Sequence, residues 1–199
     1  MAYSIRIIYA LLVTVLAAGI FIACTESGAD TKAAGTMNKK ELIKRGEYLV
    51  TIMGCADCHS PKVFGHNGPE PDMERYLSGH PQEETLNKID PNINNNWALM
   101  SMDGTSVVGP WGVSFSANLT PDETGIGAWT EEQFANAFQK GMYKGIKGTR
   151  MLLPPMPWPA YSKVKEEDVK AIFYYLKSLK PVRNIVPSAI SPNQLATMK

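Results

Sequence analysis

Gly54-Cys55-Ala56-Asp57-Cys58-His59 places two thiols and an imidazole within five consecutive residues. The spacing is C-x-x-C-H, an attachment sequence for covalently bound haem. Two intervening residues let both sulfurs reach the two vinyl groups of one porphyrin as thioethers. The adjacent His59 is then held beneath the iron as proximal ligand. The motif occurs once, which predicts one haem c. Two other chemistries use the same residue types. A thioredoxin-like redox pair follows a strand in a βαβ unit, whereas the residues before Cys55 read as a helix. A zinc site would draw on Cys55, Cys58, His66 and His80. Its spacings match no finger pattern, and it leaves His59 without a role.

Working outward, Leu42, Ile43, Gly46, Leu49, Val50 and Met53 recur at helical spacing, predicting a helix over 39–54. Asn38 and Glu41 form a capping-box pattern at its start. A second helix is predicted over 130–140, with Thr130 and Gln133 as a capping box, Phe134, Ala137 and Phe138 inward, and Gly141 closing the end. A third is predicted over 166–179, with Val169, Ile172, Phe173, Leu176 and Leu179 on one face. Acidic residues open it, and Pro181 stops it. Residues 60–128 are rich in Pro, Gly and Asn, and a loop of that length in a compact domain usually has work to do. Asp103-Gly104 marks a hairpin turn within it. Residues 182–199 carry little pattern and read as a surface tail.

An electron-transfer haem commonly takes methionine as its sixth ligand. The candidates are Met73, Met100, Met102, Met142, Met151 and Met156, with His66 and His80 beside them. Met156 stands apart in Leu153-Pro154-Pro155-Met156-Pro157-Trp158-Pro159. Prolines reduce the entropy lost when such a loop is fixed. A methionine that only fills a core gap usually lies on a periodic element. Met156 is therefore the expected ligand, and Met151 the next choice. Haem propionates need donors. The indole N–H groups of Trp129 and Trp158 are preferred over Lys147 and Arg150, which read as solvated charges. The second ring nitrogen of His59 needs a carbonyl, for which nearby Pro61 is the expected source.

Met1–Arg6 is a short charged start, and 7–23 is an apolar run, IIYALLVTVLAAGIFIA. That layout is an export signal. Phe21-Ile22-Ala23-Cys24 resembles a bacterial lipoprotein signal, which implies cleavage before Cys24 and acylation of its thiol. The expected organisation is signal 1–23, flexible tether 24–37, haem domain 38–181 and tail 182–199. The three cysteines are thereby accounted for without a disulfide. Of the 20 basic residues only Arg6 lies in the first 23 positions, so the remainder balances its 19 acids at zero. That balance removes any sequence-level reason to bind nucleic acid.

The order of helix, CxxCH, methionine loop and last helix resembles class I c-type cytochromes. Gly46, Tyr48 and Leu49 look like the face of that family's first helix, and Phe173, Tyr174 and Tyr175 like its partners on the last. More narrowly, Ser116–Asp122, Thr124–Trp129 and Pro155–Tyr161 are similar to bacterial periplasmic mono- and dihaem cytochromes, some associated with dehydrogenases. The resemblance implies a mostly α fold of the class I cytochrome c type. A long irregular insertion, with a small β-hairpin, separates the haem motif from the methionine loop. It implies an electron carrier rather than an enzyme, working by outer-sphere transfer between a redox protein donor and acceptor. The expected location is the periplasm, at a membrane, through a lipid on Cys24. The alternatives are a haem enzyme or sensor with an open sixth site, and a fixed subunit of a membrane dehydrogenase or oxidase.

Overall fold

A computed structural model describes residues 37–86 and 96–198. The export segment, Cys24 and nearly all of the tether lie outside the described residues. Among those described, no helix is long and apolar enough to cross a membrane.

Helix α1 (Lys39–Ile52) opens on the capping box expected from its sequence. Asn38 Oδ1 accepts from the Lys40 and Glu41 amides at 3.0 and 3.1 Å, and Glu41 Oε2 accepts from the Asn38 amide at 2.9 Å. Such a cap is worth about 1 kcal/mol. Helix α2 (Cys55–His59) follows after Gly54, whose φ of 65° turns the chain sharply between the two helices. Helix α3 (Glu131–Lys140) starts on Thr130, whose hydroxyl accepts from the Gln133 amide at 3.1 Å. The Gln133 side chain does not reach back as predicted; its amide instead donates to Lys144 O at 2.9 Å, joining the helix to the loop beyond it. Helix α4 (Trp158–Tyr161) is one turn, α5 (Glu166–Leu176) is the last long helix, and α6 (Pro192–Thr197) lies near the C-terminus.

Helices α1 and α5 cross at Gly46. A Cβ there would overlap the backbone carbonyl of Ala171 and meet Tyr175 Cβ at 2.7 Å. Around this crossing the core gathers Leu42, Leu49 and Val50 from α1 and Val169, Ile172, Phe173 and Leu176 from α5, with Leu77, Ile126, Phe134 and Phe138. Aromatic rings tie in the shorter helices: Phe134–Phe173 centroids are 5.5 Å apart and Phe138–Tyr161 centroids 4.7 Å.

The long middle region is more ordered than its composition suggests. Strands β1 (Lys62–Gly65) and β2 (Gly68–Pro71) form an antiparallel hairpin, and β3 (Leu99–Met100), β4 (Ser106–Gly109) and β5 (Gly112–Phe115) form a three-stranded antiparallel sheet in that order. The hairpin expected around Asp103-Gly104 is the β3–β4 connection. The other pairings correct the expectation of mostly helix with one hairpin: the content is mixed, six helices with two small sheets among the described residues. Pro and Gly within KVFG and GPEP hide β1 and β2 from propensity.

Residues 182–199 are also corrected. Residues 182–190 are fastened to the domain, and helix α6 beyond them is exposed. Val113 N donates to Ile190 O at 2.8 Å and Ile190 N to Val113 O at 3.1 Å, extending the sheet edge. Asn184, 6 % exposed, is clamped by the loop that follows β2. Its Oδ1 accepts from Gln82 N at 3.0 Å, while its Nδ2 donates to Ser78 O at 2.7 Å and His80 O at 2.9 Å. Backbone pairing of this kind leaves no periodic signature in the sequence.

Candidate functional site

Both motif thiols lie on the single turn α2, half-buried and free. Burial pushes the Cys55 thiol up to about 11 and moves Cys58 in the same direction, with Asp57 adding to both shifts. A thioredoxin-type pair has its reactive thiol pulled down, so these thiols lack that activation. The zinc alternative also fails. His66 is exposed on the β1–β2 turn, His80 is buried elsewhere, and no metal-binding cluster among the described residues includes Cys55 or Cys58.

His59 ends α2, where burial, with Lys62 contributing, pushes its imidazole below the usual value. Its Nδ1–H donates to the carbonyl of Ala117 at 2.8 Å. A carbonyl only accepts, so the neutral ring carries its proton on Nδ1 and its lone pair on Nε2. That tautomer is what a metal-bound histidine requires. Pro61 was the expected source of this carbonyl; its oxygen instead accepts from Asp72 N at 2.8 Å. Ala117 comes from 58 residues downstream in the chain, a distance that local reasoning about His59 did not span.

Ala117 is itself held firmly. Ser116 N donates to Thr105 O at 2.9 Å, Ser116 O accepts from His80 N at 2.9 Å, and Gly79 N donates to His59 O at 2.8 Å. Buried Asn118 locks the next turn. Its Oδ1 accepts from Thr120 N at 2.9 Å and Thr120 Oγ1 at 2.8 Å, and its Nδ2 donates to Val182 O at 2.9 Å. Leu77, wholly buried, adopts φ of 58° while its amide donates to Ser60 Oγ at 2.9 Å. A left-handed leucine costs about 1–3 kcal/mol and persists because Ser60 and the core hold it. Lys62, unmarked by sequence reasoning, closes the end of α2: its Nζ donates to Ala56 O, Asp57 O and Ser60 O at 3.0, 2.9 and 2.6 Å. A cation at a helix C-terminus is the favourable placement.

Among the six methionine candidates, Met156 is the one packed against the core, in the same apolar cluster as Cys55, Ala56, Trp129 and Tyr161. Met73, Met100, Met102 and Met151 are exposed. Met142 and Met151 pair with each other across an isolated bridge. The methionine loop is moored by Ser114 Oγ, which donates to Pro154 O at 2.6 Å. Trp129 lies partly buried on the core cluster. Trp158 lies over Gly141, whose missing Cβ leaves room for the indole. Arg150 stacks on Tyr143 at 3.8 Å, and Lys147 is exposed.

The donor set thus contains two neighbouring thiols, an imidazole with its lone pair on Nε2 and a thioether in an apolar cluster. These residues fit a covalently attached haem.

No family model matches the chain. It is 28% identical over 169 residues, 84% of its length, to the cytochrome c subunit of alcohol dehydrogenase (quinone) from Gluconobacter oxydans. It is 32% identical over 143 residues, 71% of its length, to the gluconate 2-dehydrogenase cytochrome c subunit of Pantoea cypripedii. It is 32% identical over 142 residues, 70% of its length, to the fructose dehydrogenase cytochrome subunit of Gluconobacter japonicus. The matches cover 27%, 24% and 22% of those proteins, so the chain spans about a quarter of the length of the curated relatives it matches. With a CxxCH helix and an anchored histidine at its centre, the chain is a c-type cytochrome homologue, similar to the cytochrome c subunits of bacterial dehydrogenases.

Proposed function

We propose that this chain is a single-haem electron carrier of the class I cytochrome c type. It works on the exported side of a bacterial membrane and is held there by a lipid on Cys24. Cys55 and Cys58 hold the haem, and His59 and Met156 are the iron ligands. Trp129 and Trp158 are the indole candidates for haem contact. Its partners are a redox protein donor and acceptor, and the relatives make a dehydrogenase one candidate for the donor.

The observation that carries this reading is the 2.8 Å bond from His59 Nδ1 to Ala117 O. It fixes the ring's tautomer and orientation before any ligand arrives, which lowers the reorganisation that electron transfer requires. When bound, the haem supplies a one-electron couple. The chain's own part is to hold both axial groups, exclude water from the apolar cluster around Met156, and raise the potential through thioether ligation and burial.

The test is the optical spectrum of the full chain matured with its haem. Wild type should be low-spin, with the weak red-edge band of thioether-ligated ferric haem. Met156→Ala should lose that band and become high-spin, while Met151→Ala should keep it. A high-spin wild type that changes with peroxide or carbon monoxide would replace this reading with that of a haem enzyme or sensor.

A further inference from the structure

Between Glu132 and Glu166 the chain carries Lys140, Lys144, Lys147, Arg150, Lys163 and Lys165 and no aspartate or glutamate. Beyond position 23 that leaves 13 bases against 19 acids on all the other residues. A chain balanced overall is thus divided, with its positive charge gathered in the stretch that contains Met156. Lys140, Lys144, Lys147 and Arg150 are all exposed. Among the described residues, none of these four pairs with a carboxylate, whereas Arg45, Arg75, Lys180 and Arg183 outside the stretch each do.

The loop holds these charges in a fixed arrangement. Lys144 adopts φ of 55°, which costs a non-glycine residue about 1–3 kcal/mol. Gln133 Nε2 secures it by donating to Lys144 O at 2.9 Å, and Gly145 packs on the Gln133 carbonyl with no room for a Cβ. Tyr143 N donates to Arg150 O at 2.9 Å, and Thr149 Oγ1 donates to Ile146 O at 2.7 Å. The Tyr143 ring carries the Arg150 guanidinium at 3.8 Å and the Lys144 ammonium at 5.7 Å from its centre, so two cations share one ring. The same loop is tied to the approach to Met156: Met142 bridges Met151, and Leu152 N donates to Gly141 O at 2.7 Å. Ile146, Met151, Pro154, Pro155 and Pro157 are exposed in the same stretch. Unpaired cations thus stand beside a small apolar surface, next to the proposed iron ligand.

We propose that this face docks a redox protein whose own contact surface is acidic. The proposal rests on the electron-carrier reading above and adds the chemistry of the partner. Charge complementarity carries it. A net charge of zero cannot draw in a partner, but a segregated one orients the approach. An acidic surface is attracted to the loop around Lys144 and Lys147 and repelled by the acid-rich remainder of the chain. It therefore meets the methionine loop first. The exposed apolar residues then let the two surfaces close with little water between them. An anionic membrane offers the same charge, but a membrane pressed on this face would cover the methionine loop and keep redox proteins from it.

The experiment mixes the haem-loaded full chain, carrying Cys24→Ser so that no lipid attaches, with an acidic blue-copper protein as the probe. Each protein is reduced in turn, and the passage of one electron between copper and haem iron is followed by stopped-flow absorbance. The bimolecular rate should fall by about tenfold or more as ionic strength rises from about 10 mM to about 150 mM, which shortens the screening length from about 30 Å to about 8 Å. Lys144→Gln combined with Lys147→Gln should lower the low-salt rate by about fivefold or more and flatten the salt dependence. Lys180→Gln combined with Arg183→Gln removes the same two charges elsewhere and should do neither. A rate insensitive to salt, or unchanged in the Lys144 and Lys147 variant, overturns the proposal. So does sedimentation with anionic phosphatidylglycerol vesicles at about 150 mM salt that depends on Lys144 and Lys147, which would assign the face to a membrane. Lost salt dependence with an intact low-spin spectrum removes the docking proposal alone. No electron exchange in either direction removes the electron-carrier reading with it.

Discussion

Gly46→Val is expected to abolish the folded state at ordinary growth temperature. The new Cβ would fall onto the Ala171 carbonyl and lie 2.7 Å from Tyr175 Cβ. Neither obstacle is the far end of a flexible side chain. Relief requires α1 and α5 to separate, and they carry Leu42, Leu49, Val50, Val169, Ile172 and Leu176 between them. Overpacking of an ordinary core site costs about 1–3 kcal/mol. Here the backbones themselves must move apart, so a loss above about 4 kcal/mol is expected, against a typical total of about 5–15 kcal/mol. The check is yield of haem-loaded protein and, if any is recovered, its denaturation midpoint. Retention of a near-wild-type midpoint would show that the helices do not pack this closely. Arg45→Ala serves as the contrast. It removes an ion pair to Asp168 at 2.9 Å, whose arginine is substantially exposed, and a cation–π contact with Tyr48 at 5.6 Å, and is expected to cost about 1 kcal/mol or less.

Asn184→Ala is the second large expected effect. It deletes one acceptor and two donors that satisfy Gln82 N, Ser78 O and His80 O. Ser78 and His80 are buried, so their carbonyls gain no water in exchange. Each buried group left unpaired costs about 1–3 kcal/mol, giving an expected loss of about 3–5 kcal/mol in denaturant unfolding. Gln82 sits on a more exposed stretch and recovers part of its share from solvent. Because the loop from Ser78 to His80 also holds His59 O through Gly79 N, loosening it should broaden the haem ligand field before global unfolding. A neutral Asn184→Ala would mean that the C-terminal segment is as dispensable as its sequence pattern suggests.

Much of this molecule was legible in its sequence. Capping at Asn38 and Glu41, the turn at Asp103-Gly104, the C-cap at Gly141 and the inward faces of α1, α3 and α5 are local matters. They depend on residues within four positions of each other, and that is the range over which helical and turn geometry act. The CxxCH spacing is local for the same reason. The β1–β2 hairpin was missed because proline and glycine stand where strand formers are expected. The fastening at Ile190 was missed because main-chain hydrogen bonds make few demands on residue type, and that at Asn184 because its side-chain partners lie 102 to 106 residues earlier in the chain.

The sequence by itself determined the covalent chemistry available here, two thiols and a histidine at fixed spacing, and the three amphipathic helices that build the core. Tertiary structure decided everything that depends on groups far apart in the chain. Ala117 rather than Pro61 orients His59, and Asn184 secures the loop behind it. The physical reason is the reach of the interactions. Periodicity and capping write themselves into neighbouring residues. A carbonyl oxygen, by contrast, is supplied by every residue alike, so only the folded chain selects which one arrives.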